Sequence, residues 1–292
     1  MDKKNRKYQI FLIGIFIIIC SIVLYPFLLL VSASFSRETD VIFNGFKLIP
    51  EHFDLSAYKY VFNNPTTVLN AYKVTITFSI VSMVLSTLLN AMIAYPLSSS
   101  KFRGKKQLSF YLFFTMLFHG GLVPSYILIT QYLHLNDTIW VYILPTLISP
   151  WHVFMMRTFF ADIPTALIES MKIDGASEFK IFLTLIIPLS KPVIATVALL
   201  HFLSKWNDWY TSMLYINDQG LISLQYLLQK ILRDIDFMSE NTNTFVELDI
   251  SKIPTTTVQM AMAMIVAGPA MFVFPFFQKY FVKGLTVGSV KG

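Results

Sequence analysis

Six predominantly apolar stretches, at residues 10–32, 74–97, 108–130, 139–156, 181–203 and 258–278, decide what this chain can become. About 20 apolar residues suffice for one helix to cross a hydrocarbon core, and within that core a helix satisfies its own backbone groups. The pattern predicts an all-α, polytopic membrane protein with six transmembrane helices. Composition agrees: 55% of the residues are hydrophobic and 14% charged, whereas soluble domains carry roughly 25% charged residues. The net charge of +6 does not point to nucleic acid, because the cations flank apolar stretches and form no basic stripe with interleaved aromatics. Cys20, the single cysteine, lies inside the first apolar stretch, so neither a disulfide framework nor a cysteine metal site can be built.

The first stretch follows MDKKNRK, a basic start like that of a signal peptide, and VSA at Val31–Ala33 has the form of a cleavage site. Its 23 residues exceed the roughly 7–15 of a signal-peptide core, so residues 10–32 are expected to stay as an anchor behind residues 1–9. Lysine and arginine set the orientation. With a cytoplasmic N-terminus, 15 of the 23 fall on the inner side, and the short loop KFRGKK is the strongest single indication. Both termini are then cytoplasmic, and residues 162–180 form a cytoplasmic loop between the fourth and fifth spans. Residues 33–73 and 204–257 lie outside, where they are expected to cap the external mouth or dock a partner.

The spans lack what several transport and catalytic mechanisms require. None contains Asp or Glu, the groups that carry or coordinate a coupling ion. Lys191 is the one formal charge within a span, near enough to its inner end to snorkel. His119, His152 and His201 sit on three different helices and read as polar residues facing a bundle interior. No H-E-x-x-H, G-x-S-x-G or phosphate-binding loop is present, so the chain is not expected to be an enzyme, and energy for uphill transport has to come from another chain. Prolines are frequent in or at the ends of the spans. Pro188 and Pro192 flank Lys191, which makes the fifth span the one expected to be irregular near its inner end.

The charged run ESMKIDGASEF, Glu169–Phe179, interrupts this apolar background. Pro164 opens a short helix and Gly175 follows its end, the asymmetry expected of helix termini. Thr165, Glu169 and Lys172 share one polar face, while Pro164, Leu167, Ile168 and Met171 occupy one flank. Asp174 and Gly175 stop the helix, and Ser177 is placed to cap a second one that runs into the fifth span. Two readings stand from geometry: a solvated or membrane-surface helix, and a protein docking site with an apolar face and a Glu and Lys to pair with charges.

The longer stretch IPTALIESMKIDGASEFKIFLTLIIPLSKPVIATV, Ile163–Val197, resembles the signature loop of the integral-membrane subunits of binding-protein-dependent ABC importers. Their pattern is Glu-Ala-Ala, then Gly after three residues, then, after about nine more, an apolar residue and Pro. Glu169, Gly175 and Ile187-Pro188 occupy the matching positions. MRTFFADIP, WNDWY and the tail FVKGLTVGSVKG are similar to the carbohydrate-uptake branch, the maltose-type permeases. The resemblance covers most of the chain from the second span to the end. It departs at Ser170 and Met171, where the pattern has alanines, and at Ile187, where leucine is commoner. Met171 either loosens the packing of that face or is a knob that fills a partner's groove.

That resemblance implies a type I ABC importer permease fold with residues 74–292 as the permease core, in the bacterial plasma membrane with multiple passes. Residues 162–180 would carry the coupling helix, seated in a cleft of a cytoplasmic ATPase. Glu169 would be its polar contact, Gly175 its turn, and Leu167 and Met171 its apolar inserts, with Ser170 and Asp174 beside them. The implied partners are a second homologous permease in a heterodimer, two ATPase subunits that bind ATP and Mg, an extracellular solute-binding protein and the bilayer. The chain itself would hold no cofactor and bind no nucleic acid. Its cargo would be a carbohydrate, an oligosaccharide by kinship with the branch.

Carbohydrates are held by aromatic faces and neutral hydrogen-bonding groups. Trp206, Asn207, Asp208, Trp209 and Tyr210 lie just beyond the outer end of the fifth span, where they also suit an interfacial aromatic belt. Asn90, His119 and Tyr126 are further candidates for the substrate path. Two other classes fit the composition: an ATP-independent carrier or channel, and a membrane scaffold or sensor subunit.

Overall fold

The computed structural model describes residues 3–63, 65–240 and 255–288. Regular structure among them is helical, with one isolated antiparallel bridge between Ser36 and Phe53. In chain order the helices are α1 (Lys3–Ser34), α2 (Glu38–Asn44), α3 (Ser56–Val61), α4 (Pro65–Ser98), α5 (Lys105–Leu117), α6 (Leu122–Ile127), α7 (Trp140–Ile143) and α8 (Pro150–Ala161). They continue as α9 (Thr165–Ile173), α10 (Glu178–Ile181), α11 (Ile187–Leu189), α12 (Lys191–Trp206), α13 (Tyr210–Tyr215), α14 (Leu224–Glu240) and α15 (Thr255–Gly288).

Three of the six apolar stretches form uninterrupted helices long enough to cross a membrane: Tyr8–Ser34, Pro65–Ser98 and Thr255–Gln278. The third is a bent pair, Lys105–Leu117 and Leu122–Tyr132, at 112°, and the fifth is another, Glu178–Leu189 and Lys191–Trp206, at 83°. The fifth bends at Ser190, between Pro188 and Pro192, as the proline pair led us to expect; each proline removes a backbone donor. A π-helical segment, Phe182–Ile186, precedes that break. The bend in the third stretch was not expected, and it falls where Gly121 takes φ +90°. In the fourth, α7 gives way to a 3-10 turn at Leu144–Thr146, and α8 restarts at Pro150.

The chain divides into two compact units, residues 1–68 with 228–268 and residues 69–227 with 269–292. In the first, the segment after α1 is folded rather than a plain loop. Phe35 stacks on Phe53 and Tyr58, with ring centroids 5.5 and 5.0 Å apart. Glu38 accepts hydrogen bonds from the backbone N–H groups of Thr256 and Thr257, both at 2.8 Å, and from the Thr257 hydroxyl at 2.6 Å. A carboxylate 217 residues away from Thr255 thus caps the open N-terminus of α15. The chain positions 241–254 of the expected external loop lie outside the described residues.

In the second unit, hydrogen bonds define two ends. At one, Lys101 reaches Glu169 (3.0 Å), the Tyr95 hydroxyl reaches Glu178 (2.8 Å) and Lys105 reaches the Ser99 carbonyl (3.3 Å). At the other, the Leu224 amide reaches Thr75 (2.8 Å), the Asp218 amide reaches Asp137 (2.9 Å) and Ser223 reaches the Asp208 carbonyl (2.9 Å). The chain therefore passes between these ends through α4, through α5 and α6, through α7 and α8, and through α10 to α12. From Thr75 to Tyr95 is 20 residues, about 30 Å of helix and the thickness of a hydrocarbon core.

The face that α4 buries carries a polar stripe beside apolar residues such as Phe78, Ala91 and Leu97. Thr75, Ser79, Ser82, Ser86 and Asn90 recur three or four residues apart and are all fully buried. Ile76, Ile80, Val84 and Leu88 recur every four residues on the exposed side. Such an arrangement suits a lipid solvent, where small and hydroxyl-bearing residues pack helix against helix and apolar ones face outward.

A candidate docking helix, its groove and the buried polar stripe

α9 ends in a Schellman closure. The Ala176 N–H donates to the Met171 carbonyl (2.9 Å), and the Gly175 N–H to the Lys172 carbonyl (3.1 Å). Gly175 sits at φ +75°, a left-handed backbone that glycine adopts without a steric cost. Ser177 then caps α10, its hydroxyl accepting from the Lys180 N–H at 3.3 Å. The helix, turn and second helix read from the sequence are all present.

The faces of α9 are assigned differently from expectation in one respect. Ile168, Met171 and Ala176 pack against the core that holds Leu97, Phe160 and Ile181. Met171 is the residue whose carbonyl closes the turn, and its side chain supplies the apolar contact that accompanies such a closure. It therefore faces the protein's own core and is not the outward insert the sequence had implied. Ile173, about 200° round the helix from Met171, is 87% exposed and Leu167 is 43% exposed. Ser170 and Asp174 are exposed beside them. Ile173 lies two residues beyond the Glu-Ala-Ala positions, so that pattern does not mark it.

The polar face turns toward the end of α4. Glu169 Oε1 lies 3.0 Å from Lys101 Nζ. Glu178 receives Lys172 on one carboxylate oxygen and the Tyr95 hydroxyl, at 2.8 Å, on the other. The Lys172 ammonium and the Tyr95 hydroxyl hold the Glu178 carboxyl below the usual carboxylate range. Between α9 and the α4 end lies a groove of about 680 Å³, lined in part by Tyr95, Lys101, Phe102, Phe160, Ile168 and Phe179.

The substrate-path candidates do not form one site. Asn90 is fully buried, and its side chain is occupied: Nδ2 donates to the Ser86 carbonyl (2.6 Å) and the Leu147 carbonyl (2.9 Å), while Oδ1 accepts from the Ser149 N–H (2.9 Å). It thus replaces backbone partners that the break between α7 and α8 leaves open. His119 Nδ1 accepts from the Gly121 N–H at 3.0 Å, inside the bend of the third stretch. Trp206 is buried and stacks on Phe202, centroids 5.7 Å apart. Asp208 pairs with buried Lys205 (3.1 Å) and accepts from the Thr211 N–H (3.0 Å) and hydroxyl (2.8 Å), so it starts α13. Asn207 donates to the Leu203 carbonyl at 2.8 Å.

Three aromatic candidates remain accessible. Tyr126 stacks on Tyr215 with centroids 5.6 Å apart, and Trp209 and Tyr210 meet edge to face at 5.7 Å. Tyr215 follows Tyr210 along α13 and was not among the residues singled out. The Asp218 and Asn217 amides, which donate to Asp137, hold its carboxyl below the usual range and tie residues 133–138 to this end. Two of the histidines read as facing a bundle interior are buried and brought together: His152 and His201 have centroids 6.0 Å apart, and His201 Nε2 is 2.7 Å from the Ser82 hydroxyl. Neither contact is visible at sequence separations of 49 and 119 residues.

Residues 72–287 match a family described as binding-protein-dependent transport system inner membrane component. Protein LplC of Bacillus subtilis (strain 168) is 38% identical over 273 residues, 93% of this chain and 90% of that protein. A polygalacturonan/rhamnogalacturonan transport system permease protein, YtcP, of the same organism is 35% identical over 295 residues, 99% of this chain and all of that one. A crystal structure of a bacterial ABC transporter involved in import of the acidic polysaccharide alginate includes a chain of the same fold. It matches with a TM-score of 0.81 and 28% identity, covering 96% of this chain and 99% of that one.

Proposed function

The chain belongs to the family of binding-protein-dependent transport system inner membrane components, and from that premise we propose that it is the permease subunit of an ATP-driven importer for an oligosaccharide. The protein is membrane-embedded and is an ABC importer permease. We assign it to a bacterial plasma membrane, with six crossings and both termini cytoplasmic. A solute-binding protein delivers the sugar outside, a second homologous permease completes the pore, and two ATPase subunits bind ATP and Mg. Oligosaccharide is chosen over monosaccharide because the relatives named for a cargo carry poly- or oligosaccharides.

The observation that carries the docking role is α9: a short helix ended by Gly175 at φ +75°, with an exposed face formed by Leu167, Ser170, Ile173 and Asp174. We assign that face to the ATPase cleft. Glu169 contributes charge at its edge, where the exposed pair with Lys101 is weak enough to exchange for a partner's cation. Gly175 permits the fold-back, and Met171 supports the helix from beneath. On the outer side, Tyr126, Trp209 and Tyr210 are the accessible aromatics offered to the sugar. Asn90, Trp206 and Asp208 serve by holding the elements that surround it.

The test is reconstitution in liposomes with a second permease, an ATPase and a binding protein from the same organism, offered labelled oligogalacturonides and arabino-oligosaccharides. Uptake that needs ATP and the binding protein is the expected result. Uptake by this chain alone without ATP would make it a carrier or channel. Assembly with the partners but no uptake and no sugar-stimulated ATP hydrolysis would make it a scaffold or sensor.

A further inference from the structure

We propose that the Tyr95–Glu178–Lys172 bridge transmits movement of the α9–α10 hairpin to α4, so that Tyr95 and Glu178 are positioning residues for transport. This rests on the permease reading above. A single carboxylate, on neither the docking face nor the substrate path, joins three elements. Glu178 belongs to α10, Lys172 to α9, and the Tyr95 hydroxyl, at 2.8 Å, to the last turns of α4. The apolar contacts beneath the hairpin, through Ile168 and Met171, are non-directional and permit sliding. On the groove side the hairpin and α4 are joined across open space by side chains, so a displacement there is carried by hydrogen bonds of fixed direction.

What α4 receives it can pass on. Its buried polar stripe holds the Leu147–Ser149 break through Asn90 and holds α12 through Ser82 and His201. Both attachments lie within one continuous helix, a rigid element of the kind that carries coupling between distant sites. The exposed pair of Lys101 and Glu169 adds a second link to the α4 end, but Glu169 also borders the docking face and is less suited to isolate the effect.

The experiment uses the assembled complex with Cys20→Ser and Met92→Cys, which places a lone thiol on the groove side of α4, and measures maleimide labelling with and without ATP. In that parent, ATP is expected to change the labelling rate about fivefold or more. Tyr95→Phe, which retains the ring beside Phe182 and so keeps the packing, and Glu178→Ala should both reduce the ATP effect to less than about twofold. Co-purification with the ATPase and its hydrolysis rate should hold. The double variant should fall no further than Glu178→Ala, because that substitution already removes the bond that Tyr95→Phe removes. A parent that binds the ATPase but shows no ATP effect overturns the proposal, as do variants that respond like the parent. Loss of ATPase binding in Glu178→Ala, with a normal response in Tyr95→Phe, also overturns it by placing Glu178 on the docking surface. A parent that recruits no ATPase is a different result, since it removes the permease reading itself.

Discussion

Asn90 shows how little a residue's type says about what its side chain holds. A lone amide in an apolar helix reads as a pore group, yet its donor and acceptor meet the Leu147 carbonyl and Ser149 N–H of a neighbouring break. Asn90→Ala leaves both part-buried groups without this partner, so it should destabilise the protein by about 1 kcal/mol. Thermal unfolding in detergent should show the loss, with ATPase binding unchanged in the fraction that folds. Met171 and Ile173 make the complementary pair. Met171→Ala should lower thermal stability while leaving ATPase co-purification intact, because its side chain lies on the protein's own core. Ile173→Ser, at 87% exposure, should do the reverse. If Met171→Ala instead abolishes co-purification with stability unchanged, the inward assignment fails.

Among the elements, the interruptions carry the most information. Proline spacing made the fifth stretch's break legible, since Pro188 and Pro192 each withdraw a donor from the same turns. The bend at Gly121 was not legible: a glycine pair in an apolar run is compatible with a helix, and the left-handed φ is chosen by tertiary packing. The α9–α10 hairpin was readable almost residue by residue, because a proline start, a glycine stop and a serine cap act locally. Its anchoring to α4 was not, because Tyr95 and Glu178 are 83 residues apart. That anchor has a pH signature. The folded carboxyl of Glu178 titrates below its unfolded value, so its contribution is complete above about pH 5, the end of the ordinary carboxylate range. It is lost as pH falls through the lower, folded value. Hydrogen exchange of the amides in 165–178 should therefore be insensitive to this group near neutrality, after correction for intrinsic rates. Protection should fall in acid, and Glu178→Gln should remove the acid-dependent step.

At the level of the molecule, the two ends of the second unit make a topology prediction. In a Cys20→Ser background, Ser100→Cys lies at the groove end and Gln219→Cys at the other, both exposed. A membrane-impermeant maleimide applied to intact cells should label Gln219→Cys and spare Ser100→Cys; equal labelling of both would overturn the assigned orientation. The sequence alone determined that this is a helical membrane protein and which loop carries the short helix α9, because apolar run length, charge placement and helix-end chemistry depend on residues close together in the chain. It also carried the family, through the pattern around Glu169 and Gly175. The tertiary structure alone decided which side of α9 is free, and that α4 buries its hydroxyls. Only there does Asn90 mend a neighbour's break, and only there does one carboxylate join α4, α9 and α10. Those outcomes depend on which surfaces meet, and the partners are tens of residues apart, held together by packing that no local spacing encodes.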